Sequence, residues 1–236
     1  MRKTISRLSA SLLGLFYDNK CPACGHSADS IAAFPICSAC MAGVSGYQGP
    51  CCNMCARPFA SRYSMTCGDC LSDPPPFERA MSFSLYEGTL MEAIHLMKFK
   101  GARQIARQLS GMLSGLDLPP GADAIVPVPM TRAGLIKRGF NQSALVAAEQ
   151  SRSRGIPLRL DLLYKVKETP PQLGLTKKAR QKNLRGAFRA DHAVKGMHVI
   201  VLDDVITTGA TMRECARALK KAGASEVTAL SIARTY

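Results

Sequence analysis

The sequence predicts an α/β domain with a mainly parallel sheet, preceded by a small metal-bound cysteine module, and two observations predict it. Near the C-terminus an apolar run, His198 to Leu202, passes through an acidic pair into a Thr- and Gly-containing loop and then a helical stretch from Met212 to Lys221. That strand, loop and helix order is the building unit of α/β proteins. Nine of the ten cysteines fall between Cys21 and Cys70, with Cys215 alone outside. At 236 residues and 47% hydrophobic content, the chain can bury the core of one ordinary domain and carry a small module besides.

Residues 1 to 20 read as an amphipathic lead-in helix. Arg2, Lys3 and Arg7 precede an apolar stretch from Leu8 to Tyr17, which Ser9, Ser11 and Gly14 interrupt. No small-residue cleavage site follows, and no stretch reaches the roughly 20 apolar residues of a membrane span. The reading is a chain without a secretion signal or membrane span, in a reducing cytoplasm, where clustered cysteines bind metal more often than they form disulfides.

Residues 21 to 72 form the cysteine module. Cys21 and Cys24, Cys37 and Cys40, Cys52 and Cys55, and Cys67 and Cys70 are each separated by two residues, which lets a tight turn aim both thiolates at one ion. Two such pairs complete a tetrahedral site, so the module predicts two structural zinc ions in two successive ribbons. Sequential pairing is preferred, and pairing of first with third and second with fourth remains compatible with the spacing. Cys51 could replace Cys52 and otherwise reads as a free thiol, and His26 as a surface residue. Small modules with little core use metal in place of burial. Residues 1 to 76 hold six Lys or Arg against four acids, a weak basis for a nucleic-acid clamp. Asp73 to Pro76 reads as a stiff linker, and residues 77 to 236 as the second domain.

The net charge of +14 is concentrated: residues 127 to 190 hold fourteen Lys or Arg against Glu149, Asp161 and Glu168. Such a block attracts polyanions, whether nucleic acid or a multiply phosphorylated small molecule, or else forms a solvated basic face.

The strongest motif is Asp203-Asp204-Val-Ile-Thr-Thr-Gly-Ala-Thr211. Gly209 permits close backbone approach, Thr207, Thr208 and Thr211 supply hydroxyls, and the helix beyond Ala210 offers unpaired N–H groups and a positive dipole end. A phosphate monoester fits there. Asp203 and Asp204, at the carboxyl end of the strand, can accept from ribose hydroxyls. Upstream, Ala124-Ile-Val-Pro-Val-Pro129 reads as a strand entering a loop with the cations Arg132, Lys137 and Arg138, and Asn141 with Gln142 opens the next helix. The run from Thr169 to Phe188 is basic and poorly periodic. It suits a mobile lid carrying Lys177, Lys178 and Arg180, or an exposed basic connection. Cys215, Met91 and Met97 read as packing residues, and His95, His192 and His198 have no sequence partner that makes a triad. A Walker-type loop is missing, which argues against an ATP motor.

The Asp203 to Thr211 run resembles the phosphoribosyl pyrophosphate signature of type I phosphoribosyltransferases, which implies their Rossmann-like, mainly parallel sheet, a pyrophosphate loop at Arg132, Lys137 and Arg138, and a lid whose Lys177, Lys178 and Arg180 neutralise the departing pyrophosphate while water is excluded. The whole chain resembles the ComF family, the competence proteins that include ComFC and GntX-like members. Tyr86-Glu-Gly-Thr-Leu, Lys98-Phe-Lys-Gly101, Arg138-Gly-Phe-Asn-Gln142, Gln172, and Arg180 with Asn183 and Gly186-Ala-Phe188 also match. The resemblance implies phosphoribosyl pyrophosphate binding with Mg²⁺ and a cytoplasmic role in handling incoming single-stranded DNA during natural transformation, with a competence helicase as a separate partner. The acceptor stays undefined, because Val227 to Ala233 is followed only by Arg234, Thr235 and Tyr236. Two roles therefore follow: a phosphoribosyltransferase, or a non-catalytic adaptor for single-stranded DNA whose pocket is a ligand or phosphate site.

Overall fold

The computed structural model describes residues 20–26, 35–60, 65–169 and 182–236. The lead-in helix falls on residues 1–19 and much of the lid on 170–181, outside the described residues. The chain forms two compact units: the residues up to Ser45 with Glu87–Ile105, and Gly46–Tyr86 with Ala106–Tyr236. Among the described residues no helix is long and apolar enough to cross a membrane.

In the first unit, α1 (Ser38–Ala42) follows the Cys37 turn. The second unit opens with the remaining cysteine turns and α2 (Gly68–Ser72), then runs into strand β1 (Arg79–Leu85). Helix α3 (Gly88–Lys100) belongs to the first unit; it buries Leu90, Ala93, Ile94 and Met97, an i, i+3, i+4, i+7 stripe, and stops where Gly101 turns left-handed at φ 70°. Met97 is fully buried, whereas Met91 stays exposed at 36%.

Helix α4 (Ile105–Leu113) leads to β2 (Ala124–Pro127), α5 (Arg132–Arg138) and α6 (Gln142–Arg154). A two-stranded antiparallel ribbon follows, β3 (Leu163–Lys165) with β4 (Phe188–Ala190), then β5 (His198–Ile206), α7 (Ala210–Lys221) and β6 (Glu226–Arg234). The main sheet has four strands in the order β1-β6-β5-β2, all parallel. Its central strands are buried along most of their length: β6 at every position after Glu226, and β5 from His198 to Leu202. That is the signature of a parallel sheet covered on both faces. Cys215 lies fully buried on α7, as a packing residue should. His198 sits at the amino end of β5, bonded to Thr228 and facing Glu226, far along the strand from the acidic pair.

Two helices of this unit are tied together through a buried amide. Gln150 of α6 donates to the carbonyl and hydroxyl oxygens of Ser110 on α4 (2.6 and 2.8 Å), and its own oxygen accepts from Arg154, which also holds the carbonyls of Leu113 and Leu116. Replacing Gln150 by Leu keeps the bulk but leaves Ser110 and Arg154 short of partners. We expect a loss of about 1–3 kcal/mol in urea unfolding, against less than about 0.5 kcal/mol for Arg152→Ala, whose partner Glu149 lies on the surface.

Candidate functional site

The sheet brings two loops together at its carboxyl edge. β2 pairs with β5 in register, Pro127 opposite Leu202, and the Val128 N–H extends the ladder by donating to the Leu202 carbonyl at 2.8 Å. The loop after β2 and the loop after β5 therefore leave adjacent strands on the same edge, where ligands of open α/β sheets bind.

Asn141 fixes the first loop. Its amide nitrogen donates to the Val128 carbonyl (2.9 Å), while its oxygen caps α6 by accepting from the N–H groups of Ser143 and Ala144. The cap turns the Ser143 hydroxyl onto Asp203, donating to Oδ1 at 2.9 Å; the same oxygen accepts the Asp204 N–H. Asp203 is half-buried and Asp204 buried. The sequence located the acidic pair and the start of α6 but missed Ser143 as the group that joins them.

Past Ile206 the chain turns through Thr207 and Thr208, both half-buried, to Gly209, whose φ of 78° starts α7. A Cβ at Gly209 would meet nothing closer than 3.9 Å, so the glycine answers to conformation rather than space. The Thr208 hydroxyl accepts from the Ala210 N–H at 3.4 Å, Ala210 is buried, and Thr211 is half-buried in the first turn. Thr207, Thr208, Gly209, Ala210 and Thr211 thus form one turn at the amino terminus of α7.

On the neighbouring loop Thr131 caps α5 by accepting the Gly134 N–H at 3.1 Å. Arg132 and Lys137 of that helix are exposed, and Arg138 donates to the Gln142 side chain at 2.8 Å. Lys177, Lys178 and Arg180 lie outside the described residues. The ribbon that flanks them contributes Lys165, which the sequence reading passed over. Its amine donates to the Thr169 hydroxyl at 3.0 Å and stands 5.9 Å from the Phe188 ring centre. Burial lowers its pKa, opposed by Glu168, Cys215 and Asp203. Beside α7 a cleft of about 710 Å³ carries Lys182, Arg185, Arg217 and Lys221 against the acids Asp73 and Glu214.

The cysteines resolve into two quartets, Cys21, Cys24, Cys37, Cys40 and Cys52, Cys55, Cys67, Cys70, with the sulfurs of each within 4.8 Å of one another. This is the sequential pairing. Cys24 and Cys37 sulfurs are 3.8 Å apart, Cys55 and Cys67 sulfurs 3.7 Å; thiolates about 2.3 Å from a tetrahedral zinc stand about 3.8 Å apart. Both sites fit zinc. Backbone N–H groups point at the sulfurs, Cys37 at Cys21 and Cys67 at Cys52. Although burial opposes it, these N–H groups bring Cys21 down to about 6 and Cys52 to about 7, while the Cys24 and Cys37 thiols push Cys40 up to about 12. The first protons leave readily and the last require a cation. Cys51 is exposed and outside the quartet, its backbone paired with Pro58; His26 contributes its carbonyl, which accepts the Cys21 N–H.

The second quartet is built into its unit. Ala80 N–H donates to the Met54 carbonyl, Arg57 pairs with Asp69, and Arg213 of α7 grips both the side chain and the carbonyl of Asp73. Arg234, which the sequence showed only as a tail residue, is buried at 2% exposure and bonds the carbonyls of Ile206 and Thr207 as well as the Cys55 sulfur. Its sequence signal was a charge ending an otherwise apolar strand.

Comparison with known proteins agrees with these parts. A double zinc ribbon domain model matches residues 12–71 and a phosphoribosyl transferase domain model residues 134–235. The DNA utilization protein YhgH of Salmonella typhimurium is 34% identical over 87% of this chain and 93% of its own length. Competence protein F of Haemophilus influenzae is 31% identical over 93% and 98%, and competence protein ComFC of Bacillus subtilis 25% identical over 85% and 84%. With the two cysteine quartets, the parallel sheet and near full-length relatives in agreement, the chain belongs to the ComF family of double zinc ribbon, phosphoribosyltransferase-type proteins.

Proposed function

We propose that the chain binds phosphoribosyl pyrophosphate at the carboxyl edge of its parallel sheet and serves DNA utilisation, as the names of its relatives describe for them. The observation that carries the reading is the joining of the two chain segments: Ser143 orients Asp203 within β5, just past the end of the paired β2 and six residues before the Gly209 entry to α7. In this reading the Thr207 to Thr211 turn holds the 5′-phosphate, and Asp203 and Asp204 accept from the ribose hydroxyls.

Arg132, Lys137 and Arg138 carry the charge that receives pyrophosphate, and Lys177, Lys178 and Arg180 are assigned to the lid. Mg²⁺, bound with the donor, offsets the pyrophosphate charge. The anomeric carbon gains oxocarbenium character as pyrophosphate departs, so cations aimed at the leaving group lower the barrier while a closed lid excludes water. A cytoplasmic setting belongs to the same reading, since thiolate ligands persist where thiols stay reduced.

A second reading, a non-catalytic adaptor for single-stranded DNA working beside a helicase, is favoured by the basic cleft along α7 and by the DNA-related names of the relatives. Backbone phosphates would occupy the cations there, with little sequence preference.

In calorimetry with Mg²⁺, zinc-loaded protein is expected to bind phosphoribosyl pyrophosphate. Asp203→Asn with Asp204→Asn should weaken binding by a factor of ten or more, since about 1.5–3 kcal/mol attends each charged hydrogen bond. Thr208→Ala should weaken it less; unaltered affinity in the double mutant would remove the assignment. For the adaptor, affinity for a single-stranded oligonucleotide should fall steeply with salt. Charge reversal at Lys182, Arg185, Arg217 and Lys221 should flatten the logarithmic slope by roughly 3, at about 0.7 per phosphate contact. A slope unchanged by those four reversals would rule out this path.

A further inference from the structure

One side chain joins the second cysteine quartet to the candidate phosphate loop. The register sets Arg234 opposite Ile206, the last residue of β5. From there its guanidinium divides its donors: one terminal nitrogen reaches the carbonyls of Ile206 (3.1 Å) and Thr207 (2.5 Å), and the other the Cys55 sulfur at 3.7 Å. The quartet and the loop adjoin, since Cys55, Cys70, Thr208, Gly209 and Arg234 border a single cavity of only about 20 Å³.

A guanidinium keeps its charge when buried, and a buried charge requires an opposite one nearby. The group that faces Arg234 is the sulfur of Cys55, one of the four ligand atoms of the second quartet. Four thiolates around one zinc leave a double negative charge, enough to balance both Arg234 and the neighbouring Arg57. The carbonyls at the start of the loop are therefore fixed by a side chain whose own placement depends on an anionic metal centre.

We propose that Arg234 is a positioning residue through which metal at the Cys52, Cys55, Cys67 and Cys70 site orders the phosphate loop. With the ion present, the guanidinium is balanced and holds the carbonyls of Ile206 and Thr207. When the ion leaves, Cys55 is no longer held in the quartet, Arg234 loses a fixed partner, and the loop loses its anchor. Coupling of this kind is reciprocal: a ligand that orders the loop retards metal loss from that quartet and leaves Cys21, Cys24, Cys37 and Cys40 unaffected. The effect on ligand binding rests on the phosphoribosyl reading of the loop; the effect on the order of the loop does not.

Full-length zinc-loaded protein supplies the test. Zinc is withdrawn with a chelator while released cysteines are alkylated and read peptide by peptide, and hydrogen exchange is followed at residues 207–212. In wild type, exchange at 207–212 should rise in step with alkylation of Cys52, Cys55, Cys67 and Cys70. Arg234→Met should show raised exchange with zinc still bound and about tenfold faster zinc loss from that quartet, the usual effect of removing a group behind a metal ligand. Zinc loss from the other quartet should be unchanged, which separates positioning from general destabilisation. Exchange at 207–212 that ignores zinc loss in wild type overturns the proposal, and this arm decides even if Arg234→Met does not fold. Saturating phosphoribosyl pyrophosphate should slow zinc loss from the second quartet in wild type alone. If the ligand does not bind while exchange still follows zinc, the phosphoribosyl assignment falls and the coupling stands; if it binds and zinc loss is unaltered, the coupling falls.

Discussion

The backbone ladder that fastens β5 between β2 and β6 is the constraint on which the rest depends. It is parallel, so all three strands end at one edge, and hydrogen bonds continue past the strand ends through Val128 to Leu202 and Thr235 to Ile206. An apolar strand buried on both faces cannot slip without exposing its core side or breaking that ladder. The acidic pair, the loop after β2 and Arg234 are consequently held at fixed heights relative to one another.

Two kinds of electrostatic balance meet in the same unit. The chain is strongly basic, and its middle section most of all, which suits attraction of polyanions at long range. Close to the loop the balance is local. Ser143 and the Asp204 N–H both donate to Asp203, and Arg234 faces Cys55. A hydrogen bond to a charged group is typically worth about 1.5–3 kcal/mol, more than a surface ion pair contributes. Metal, sheet edge and loop thus share side chains, and the second quartet acts as part of the α/β core that carries the candidate site.

Much of the site was legible in the sequence because its elements are contiguous. The cysteine spacing fixes which sulfurs can meet, and the structure selects sequential pairing over the cross-pairing that spacing also allowed. The Asp203 to Thr211 run announces a strand end, a left-handed glycine and a helix start in order. Ser143, Lys165 and Arg234 were illegible for the opposite reason. Each matters through a partner far away in sequence: Ser143 through Asp203, Lys165 through the Phe188 ring, Arg234 through Ile206, Thr207 and Cys55. Only the register of the sheet and ribbon brings them together, and no local period encodes register between strands separated by whole helices.

The central claim is that the turn after the acidic pair is a phosphate cradle. A crystal structure of the zinc-loaded chain grown with Mg²⁺ and phosphoribosyl pyrophosphate tests it most directly. The account predicts the 5′-phosphate against the backbone N–H groups of Thr208 to Thr211, with the ribose hydroxyls on Asp203 and Asp204. Phosphate density in the basic cleft beside α7, with the Thr207 to Thr211 turn left bare, would contradict it.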